Sequence, residues 1–195
     1  MQAETKRDLT LEVANLYPSQ GEWTEEDYFS LPDTNLYVEL SEGKLIMPPH
    51  PTRSHQIVLL ELAFRLRTFV KERNLGEVLI APLPVRLWPG KIREPDIFFL
   101  SKEHSDRAGE KFYGVPDLII EIISPNTERI DRVDKFNEYA KAGVKEYWLV
   151  DPEKKIVEVY TLKEGKYILL GKYSSSQVAS SKILSGFKIK VKEIF

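Results

Sequence analysis

One apolar segment constrains the fold more than any other part of this sequence. Residues 117–123 read Asp-Leu-Ile-Ile-Glu-Ile-Ile, so apolar side chains occupy both alternating sets of positions. A strand that is apolar on both faces is typical of the centre of a sheet that is covered on each side. We therefore predict a central strand here, with further structure packed on both faces of its sheet.

The residues after this segment predict a strand–helix–strand unit. A Ser-Pro-Asn-Thr turn leads into a helical pattern over residues 128–142, which Gly143 ends, and residues 146–150 predict the next strand. A unit of this kind places its two strands parallel in one sheet, with a right-handed crossover through the helix.

The remaining pattern predicts an α/β (or α+β) class with a mixed β-sheet flanked by helices and a C-terminal antiparallel extension. We expect a single domain over residues 23–195, preceded by an N-terminal arm of residues 1–22. Helices are predicted at residues 24–29 and 53–73. Strands are predicted at residues 36–47 (a hairpin), 77–81, 83–88, 96–100, 156–162, 167–170 and 187–191.

Composition excludes several kinds of chemistry. The 195 residues include no cysteine, which excludes disulfides, thiolate zinc sites, iron–sulfur clusters and a cysteine nucleophile. The 28 Lys and Arg residues against 30 Asp and Glu argue against a protein that coats nucleic acid, although a local basic groove is compatible with them.

The sequence indicates neither membrane insertion nor an organic cofactor. No apolar run approaches the ~20 residues that span a bilayer, and the charged start is followed by no secretory signal. Glycine-rich nucleotide-binding motifs are also absent from the sequence. We expect a cytoplasmic protein.

Glu121 is the most informative residue of the central strand. Because side chains alternate along a strand, Glu121 shares a face with Ile119 and Ile123. An isolated carboxylate there costs several kcal/mol unless a cation, a metal or hydrogen bonds compensate it. Two interpretations are open: a buried ion pair with Lys135 or Arg93, or a metal-binding or catalytic role, since perturbed carboxylates cluster at functional sites.

Asp96 is the second candidate, because it opens the strand over residues 96–100 directly after Pro95. Pro-Asp is also a common way to enter a strand. Acidic side chains from two neighbouring strands could, however, converge on one hard divalent cation. Mg²⁺ favours one or two carboxylates together with waters and phosphate oxygens. Asp96 and Glu121 are therefore candidate metal ligands.

These two residues belong to a longer ordered pattern. Pro95-Asp96 followed by Glu121 on an apolar strand resembles the PD-(D/E)xK nuclease superfamily, which has the restriction-endonuclease-like fold. The resemblance is closer to one branch, the putative restriction endonuclease domain family of compact bacterial proteins. The pieces that carry it, in the family's order, are residues 23–28, 38–45, 93–97, 116–125, 131–139 and 143–152.

The resemblance implies roles for four residues. Asp96 and Glu121 would hold the metal, Lys135 would be the basic catalytic residue, and Glu39 would be an additional acid near the metal. The implied activity is a Mg²⁺-dependent (or Mn²⁺-dependent) endonuclease that hydrolyses phosphodiester bonds in DNA. The lysine would orient or deprotonate the attacking water and oppose the developing negative charge. We expect a homodimer, as paired cuts in duplex DNA would require.

The sequence departs from the superfamily at one position. The superfamily pattern has lysine two residues after the acid, where this chain has Ile123. The resemblance implies that Lys135, from the following helix, replaces it. A regular α-helical projection places Asp131, Lys135 and Tyr139 on one side. On nearly the opposite side it predicts a core-facing stripe of Val133, Phe136, Asn137 and Ala140.

Other interpretations of these residues are open on the sequence alone. Asp131 and Lys135 could form an ordinary solvated pair on the helix surface. Glu39 could be the exposed half of an alternating hairpin. His55, at the start of the long helix, is expected to be a surface residue, with a helix cap or a phosphate contact as the alternative.

Ile123 also supports an alternative function, a non-catalytic nucleic-acid-binding or interaction module that keeps the nuclease fold. A metal-dependent hydrolase of another phosphoester is a third possibility. For DNA binding, we predict a local positive rim from residues that flank the proposed site. These residues are Lys102, Arg107, Lys111, Arg129 and Arg132.

Overall fold

The computed structural model describes residues 17–32, 37–125 and 127–195. Its helices are α1 (Glu25–Phe29), α2 (Arg53–Glu72) and α3 (Phe136–Ala142), with a π-helical segment (Ile130–Lys135) before α3 and 3₁₀ turns at Lys102–Arg107 and Val191–Glu193. Its strands are β1 (Glu39–Ser41), β2 (Lys44–Ile46), β3 (Gly76–Ile80), β4 (Val85–Trp88), β5 (Lys91–Arg93), β6 (Ile97–Ser101), β7 (Leu118–Ile122), β8 (Glu146–Asp151), β9 (Ile156–Lys163), β10 (Lys166–Tyr173), β11 (Val178–Ser180) and β12 (Lys188–Lys190).

A six-stranded mixed sheet in the order β10-β9-β8-β7-β6-β3 forms the centre of the fold. Strands β7 and β8 are parallel, with Leu118 opposite Glu146 and Ile122 opposite Val150, and the helical segment connects them. The predicted strand–helix–strand unit is confirmed. A four-stranded antiparallel sheet in the order β2-β1-β5-β4 and the β11–β12 pair complete the α+β architecture.

Strand β7 is covered on both faces, as its sequence predicted. Leu118, Ile120 and Ile122 belong to one buried cluster with α2 and the C-terminal segment. Ile119 and Ile123 belong to a second cluster on the other face, together with aromatic residues of α3 and β8. Glu121 therefore projects from the face that α3 covers.

The helix after β7 is less regular than its sequence indicated. Its first turns are π-helical, with the wider i→i+5 hydrogen bonding that often marks functional sites. Asp131, Lys135 and Tyr139, four residues apart, are buried, whereas Val133 is 46% exposed and Asn137 is exposed. The predicted core-facing stripe is thus wrong for Val133 and Asn137, because the widened turns and the contacts around Lys135 direct the polar side inward. Phe136 and Ala140 do pack inward.

Two strands were not predicted. Strand β5 returns from the turn at Pro89-Gly90 and pairs with both β4 and β1, and its Lys91 and Arg93 are buried. Strand β11 lies in the serine-rich segment and pairs with β12. Both strands are only three residues long, and β5 is mostly charged, so neither offers the longer apolar alternation that identifies a strand in a sequence.

Part of the predicted N-terminal arm, residues 1–16, lies outside the described residues. In the rest of it, the ring of Tyr17 stacks on Trp23 at 5.8 Å, and the Gly21 amide donates to the Gly43 carbonyl at 2.7 Å. The division into an arm and one domain stays a prediction. In the part of the chain that the structure describes, no helix is long and apolar enough to cross a membrane.

Candidate active site

Asp96 and Glu121 line the same cavity, which has a volume of about 440 Å³. Strands β6 and β7 are antiparallel neighbours, with Ile97 opposite Ile120. Asp96 directly precedes β6, and Glu121 directly follows Ile120 in β7, so the chain order brings both acids to the same end of this strand pair. The two acids therefore meet at one cavity, as expected. Asp131 and Lys135 also line the cavity.

Hydrogen bonds orient the Asp96 carboxylate. The Ile122 amide donates to Oδ2 at 2.7 Å, and Nε2 of His55 lies 3.1 Å from the same oxygen. Among the described residues, Oδ1 has no hydrogen-bond partner, so it is the oxygen available to a ligand. Asp96 thus presents one oxygen in a defined direction.

His55 was expected at the surface, and that expectation is wrong. His55 lies in the first turn of α2, where its backbone amide donates a hydrogen bond to the side chain of the N-cap residue Thr52. Only 7% of the His55 surface is exposed. Its position beside Asp96 comes from the packing of α2 on the sheet, which its isolated place in the sequence did not signal.

Glu121 forms the buried ion pair that one interpretation of the sequence anticipated. Nζ of Lys135 lies 2.9 Å from Oε1 of Glu121, and the hydroxyl of Tyr139 donates to the same oxygen at 2.6 Å. Arg93, the other suggested partner, instead pairs with Glu39 and Glu138. Within the described residues, Oε2 of Glu121 has no hydrogen-bond partner.

Lys135 lies among three carboxylates. Besides Glu121, its Nζ is 3.4 Å from Oε1 of Glu39 and 3.7 Å from Oδ1 of Asp131. Because Lys135 is only 6% exposed and Asp131 3%, the solvated surface pair is wrong. Glu39 is buried as well, so it is not the exposed half of its hairpin.

A second set of ion pairs holds Glu39. Arg93 donates to Oε2 of Glu39 at 2.6 Å and reaches both carboxylate oxygens of Glu138 at 2.8 and 2.9 Å. Lys91 also donates to Glu138, at 2.9 Å. These contacts tie β1 and β5 to α3. Sequence reasoning gave no role to Lys91 or Glu138, because surface residues of their types are common.

The site carries more buried negative than positive charge. Four buried carboxylates (Glu39, Asp96, Glu121 and Asp131) and half-buried Glu138 lie in the site with Lys91, Arg93 and Lys135, and Asp96 contacts His55 rather than one of these three cations. An excess of buried charge is unfavourable unless a proton or a further cation offsets it.

Burial and the neighbouring charges shift the pKa values of Glu121, Asp131 and Lys135. Burial raises the pKa of Glu121 to about 8, against the attraction of Lys135, and the charges of Asp96 and Asp131 add to the rise. Burial also raises the pKa of Asp131. For Lys135, burial disfavours the ammonium, but Glu121, Glu39 and Asp131 outweigh it and hold the pKa well above its ordinary value.

The two carboxylates fit a magnesium-type site better than a closed metal cage. In the described chain, no group of three or more His, Asp or Glu side chains is arranged to hold an ion. Mg²⁺ keeps several waters and needs only one or two carboxylates plus substrate oxygens. The unpartnered oxygens of Asp96 and Glu121, beside a cavity with excess negative charge, meet that requirement.

Comparison with known proteins identifies the family of the chain. The model of the Uma2 family, described as putative restriction endonuclease, matches residues 25–192. The chain belongs to this family. It is also similar to a putative nuclease of the DUF820 group from Anabaena variabilis, in a crystal structure at 1.96 Å, with a TM-score of 0.73, 22% identity, and coverage of 88% of this chain and 97% of that one. No curated protein matches the chain.

Membership of the Uma2 family and the shared fold confirm the predicted restriction-endonuclease-like architecture and support a nuclease. In this member, Ile123 packs in the buried cluster with Tyr139. The chain therefore has a buried lysine beside the strand carboxylate although position 123 holds none. The structure does not place the predicted positive rim at the cavity. In the described part of the chain, none of the five rim residues lines it.

We predict that the free energy of unfolding of the metal-free protein falls as the pH rises from 4.5 to about 8. The folded state keeps a proton on Glu121 in this range, whereas the unfolded state has released it, so the stability present at low pH is lost at high pH. The loss is on the order of a few kcal/mol, since one pKa unit corresponds to about 1.4 kcal/mol.

Urea unfolding of wild type and Glu121→Gln at several pH values measures this effect. The variant should show a clearly smaller decline, while the exposed control Glu103→Gln should behave as wild type. Equal slopes for all three proteins would contradict the assigned burial of Glu121.

Proposed function

We propose that the chain is a Mg²⁺-dependent (or Mn²⁺-dependent) endonuclease that hydrolyses phosphodiester bonds in DNA. One observation carries the proposal: the Lys135 ammonium lies against buried Glu121 in a cavity that Asp96 shares. This is the combination of two acids and a cation that metal-assisted phosphodiester hydrolysis uses. Family membership supports the same class of activity.

Asp96 and Glu121 are the proposed metal ligands. Each has one oxygen engaged by protein donors and one without a partner among the described residues, so each offers a single oriented oxygen. The bound cation would supply a water of lowered pKa and stabilise the negative charge that develops on the phosphate oxygens.

Lys135 acts as a charge rather than as a base. Because its carboxylate neighbours hold its pKa well above the ordinary value, it keeps its proton at neutral pH. Its ammonium therefore orients the attacking water and opposes the developing charge on the phosphate. Of the two roles that the sequence left open for the lysine, this geometry supports orientation.

Glu39 is proposed as a positioning residue rather than a metal ligand. One of its oxygens accepts from Arg93, and the other accepts from the Glu94 amide at 3.2 Å and lies near Lys135. Both oxygens are thus in use. Glu39 acts on the reaction by holding the ammonium of Lys135 in place.

The alternative function, a non-catalytic binding module, rested on Ile123. The ammonium of Lys135 beside Glu121 weakens that argument, because a lysine missing from the strand is present in the helix. DNA binding by the wild type without any cleavage would be its signature, and the oligonucleotide experiment below, which measures binding alongside cleavage, separates the two functions.

Cleavage of supercoiled plasmid and of single-stranded DNA in Mg²⁺ or Mn²⁺ tests the proposed activity. We expect Asp96→Asn, Glu121→Gln and Lys135→Met each to lower the rate by about 100-fold or more, since each removes a group that stabilises developing charge. Exposed Glu103→Gln and Lys188→Met are the matched controls and should cut like wild type. Equal rates in all six proteins, with circular dichroism showing that each is folded, would refute the site.

His55 is proposed as a positioning residue for Asp96. Replacing it with Leu leaves Oδ2 with the Ile122 amide as its remaining partner among the described residues, so the carboxylate should be oriented less firmly and hold the cation less well. We expect His55→Leu to raise the Mg²⁺ concentration for half-maximal rate by about 10-fold, the effect typical of residues that orient metal ligands.

His55→Gln, which keeps a side-chain donor, should recover most of that loss. A purely structural role would instead change the melting temperature and leave the Mg²⁺ dependence of the folded variant as in wild type.

The expected homodimer stays a proposal, and the free edge of the six-stranded sheet supports it. Strand β10 forms that edge and exposes Ile168, Leu169 and Leu170. Apolar edge strands readily pair with another chain.

Cytoplasmic location likewise stays a prediction.

Light scattering after gel filtration tests the assembly. Wild type should have twice the mass of the chain, and Leu169→Lys should yield a monomer. Val133→Lys, at a similarly exposed position outside the strand, should remain dimeric. A wild-type protein that is monomeric at all concentrations would contradict the proposal.

A further inference from the structure

The cavity above Asp96 and Glu121 has an apolar wall. The chain after β2 contributes part of it, and the chain at the end of β3 contributes the opposite part. The apolar residues on these two segments are Met47, Pro48, Pro49, Pro51, Ile80, Ala81 and Pro82. Met47 is 67% exposed, which places a large apolar side chain at the opening.

Tyr37 adds an aromatic ring to this wall. Its hydroxyl donates to the carbonyl oxygen of Glu94, which fixes the ring orientation. The wall therefore combines an aromatic ring with proline rings and a thioether, side chains that can contact an unstacked nucleobase.

Positive charge is scarce around the cavity. Among the residues that the structure describes, Lys135 is the sole lysine or arginine in the wall, and carboxylates already surround it. Proteins that follow a duplex backbone neutralise several phosphates with Lys and Arg. This cavity offers a duplex no such set of contacts.

The proposed metal ligands lie deep in the site. Glu121 is 2% exposed, so a scissile phosphate must enter the cavity to reach its free oxygen. A volume of about 440 Å³ is in the range of pockets that enclose small ligands. It accommodates a nucleotide, whereas a duplex, with a major groove alone about 12 Å wide, is too large to enter.

We infer that the substrate is DNA with an unpaired nucleotide at the cleavage position, as in a single strand, a flap or a bulge. The inference rests on the proposed function and specifies its substrate. The phosphate reaches Asp96 and Glu121, and the unstacked base lies against Tyr37 and the Met47 segment. Affinity then comes from contact with the base and the metal more than from rim cations.

Matched oligonucleotides of one sequence test this inference. Labelled single strand, blunt duplex and duplex with a short flap are incubated with wild type in Mg²⁺ or Mn²⁺, and binding by anisotropy is measured alongside cleavage. We expect the single strand and flap to bind and be cut at least 10-fold better than the duplex. Their affinity should fall only weakly with added salt, because few phosphates are neutralised.

A variant pair tests the apolar wall. Met47→Ala should raise KM for the single strand by about 2–10-fold, the range of a methionine–aromatic contact, and leave kcat nearly unchanged. Leu60→Ala is the matched control, because Leu60 is 68% exposed on α2 outside the cavity wall. An unchanged KM in Met47→Ala would overturn the placement of the base.

The outcomes separate this inference from the proposed function. A duplex bound and cut as well as the single strand overturns the inference and leaves the nuclease intact. Preferential binding of the single strand without any cleavage supports the inference and overturns the nuclease. Failure to bind any of the three substrates overturns the inference.

Discussion

The buried contact between Lys135 and Glu121 is the interaction on which the candidate site depends. A lone ammonium or carboxylate at this depth costs several kcal/mol, and removal of one partner would leave the other uncompensated. The contact joins the central strand to the helix that follows it. Glu39, held by Arg93, meets the same ammonium from the four-stranded sheet, so three parts of the fold meet at one charge.

The helix after β7 supplies the cation of this contact, and position 123 does not. The side chain of Ile123 is used in the core, and Lys135 enters from the helix instead. The spacing of four residues between Asp131, Lys135 and Tyr139 keeps all three on the inner side. A chain can thus keep the charge arrangement of a site while the position that supplies the cation moves to another element.

The excess of carboxylates distinguishes this site from an ion pair that only joins two elements of a fold. An ion pair that only joined two elements would need one acid for each base. Here carboxylates outnumber lysine and arginine, and burial, with the charges of Asp96 and Asp131 adding to it, raises the pKa of Glu121 to about 8. The proposed divalent cation rests on this excess of negative charge, and the inferred choice of substrate rests on the apolar wall.

The sequence by itself determined the central strand and its parallel partner, it predicted that Asp96 and Glu121 lie close together, and its family resemblance singled out Lys135 and Glu39. These follow from alternation and chain order, which are local properties. It could not determine the inner face of the helix, the burial of His55, the charged strand β5 or the composition of the cavity wall. Those depend on which surfaces pack together, and only tertiary structure decides whether a polar side chain meets water or a buried partner.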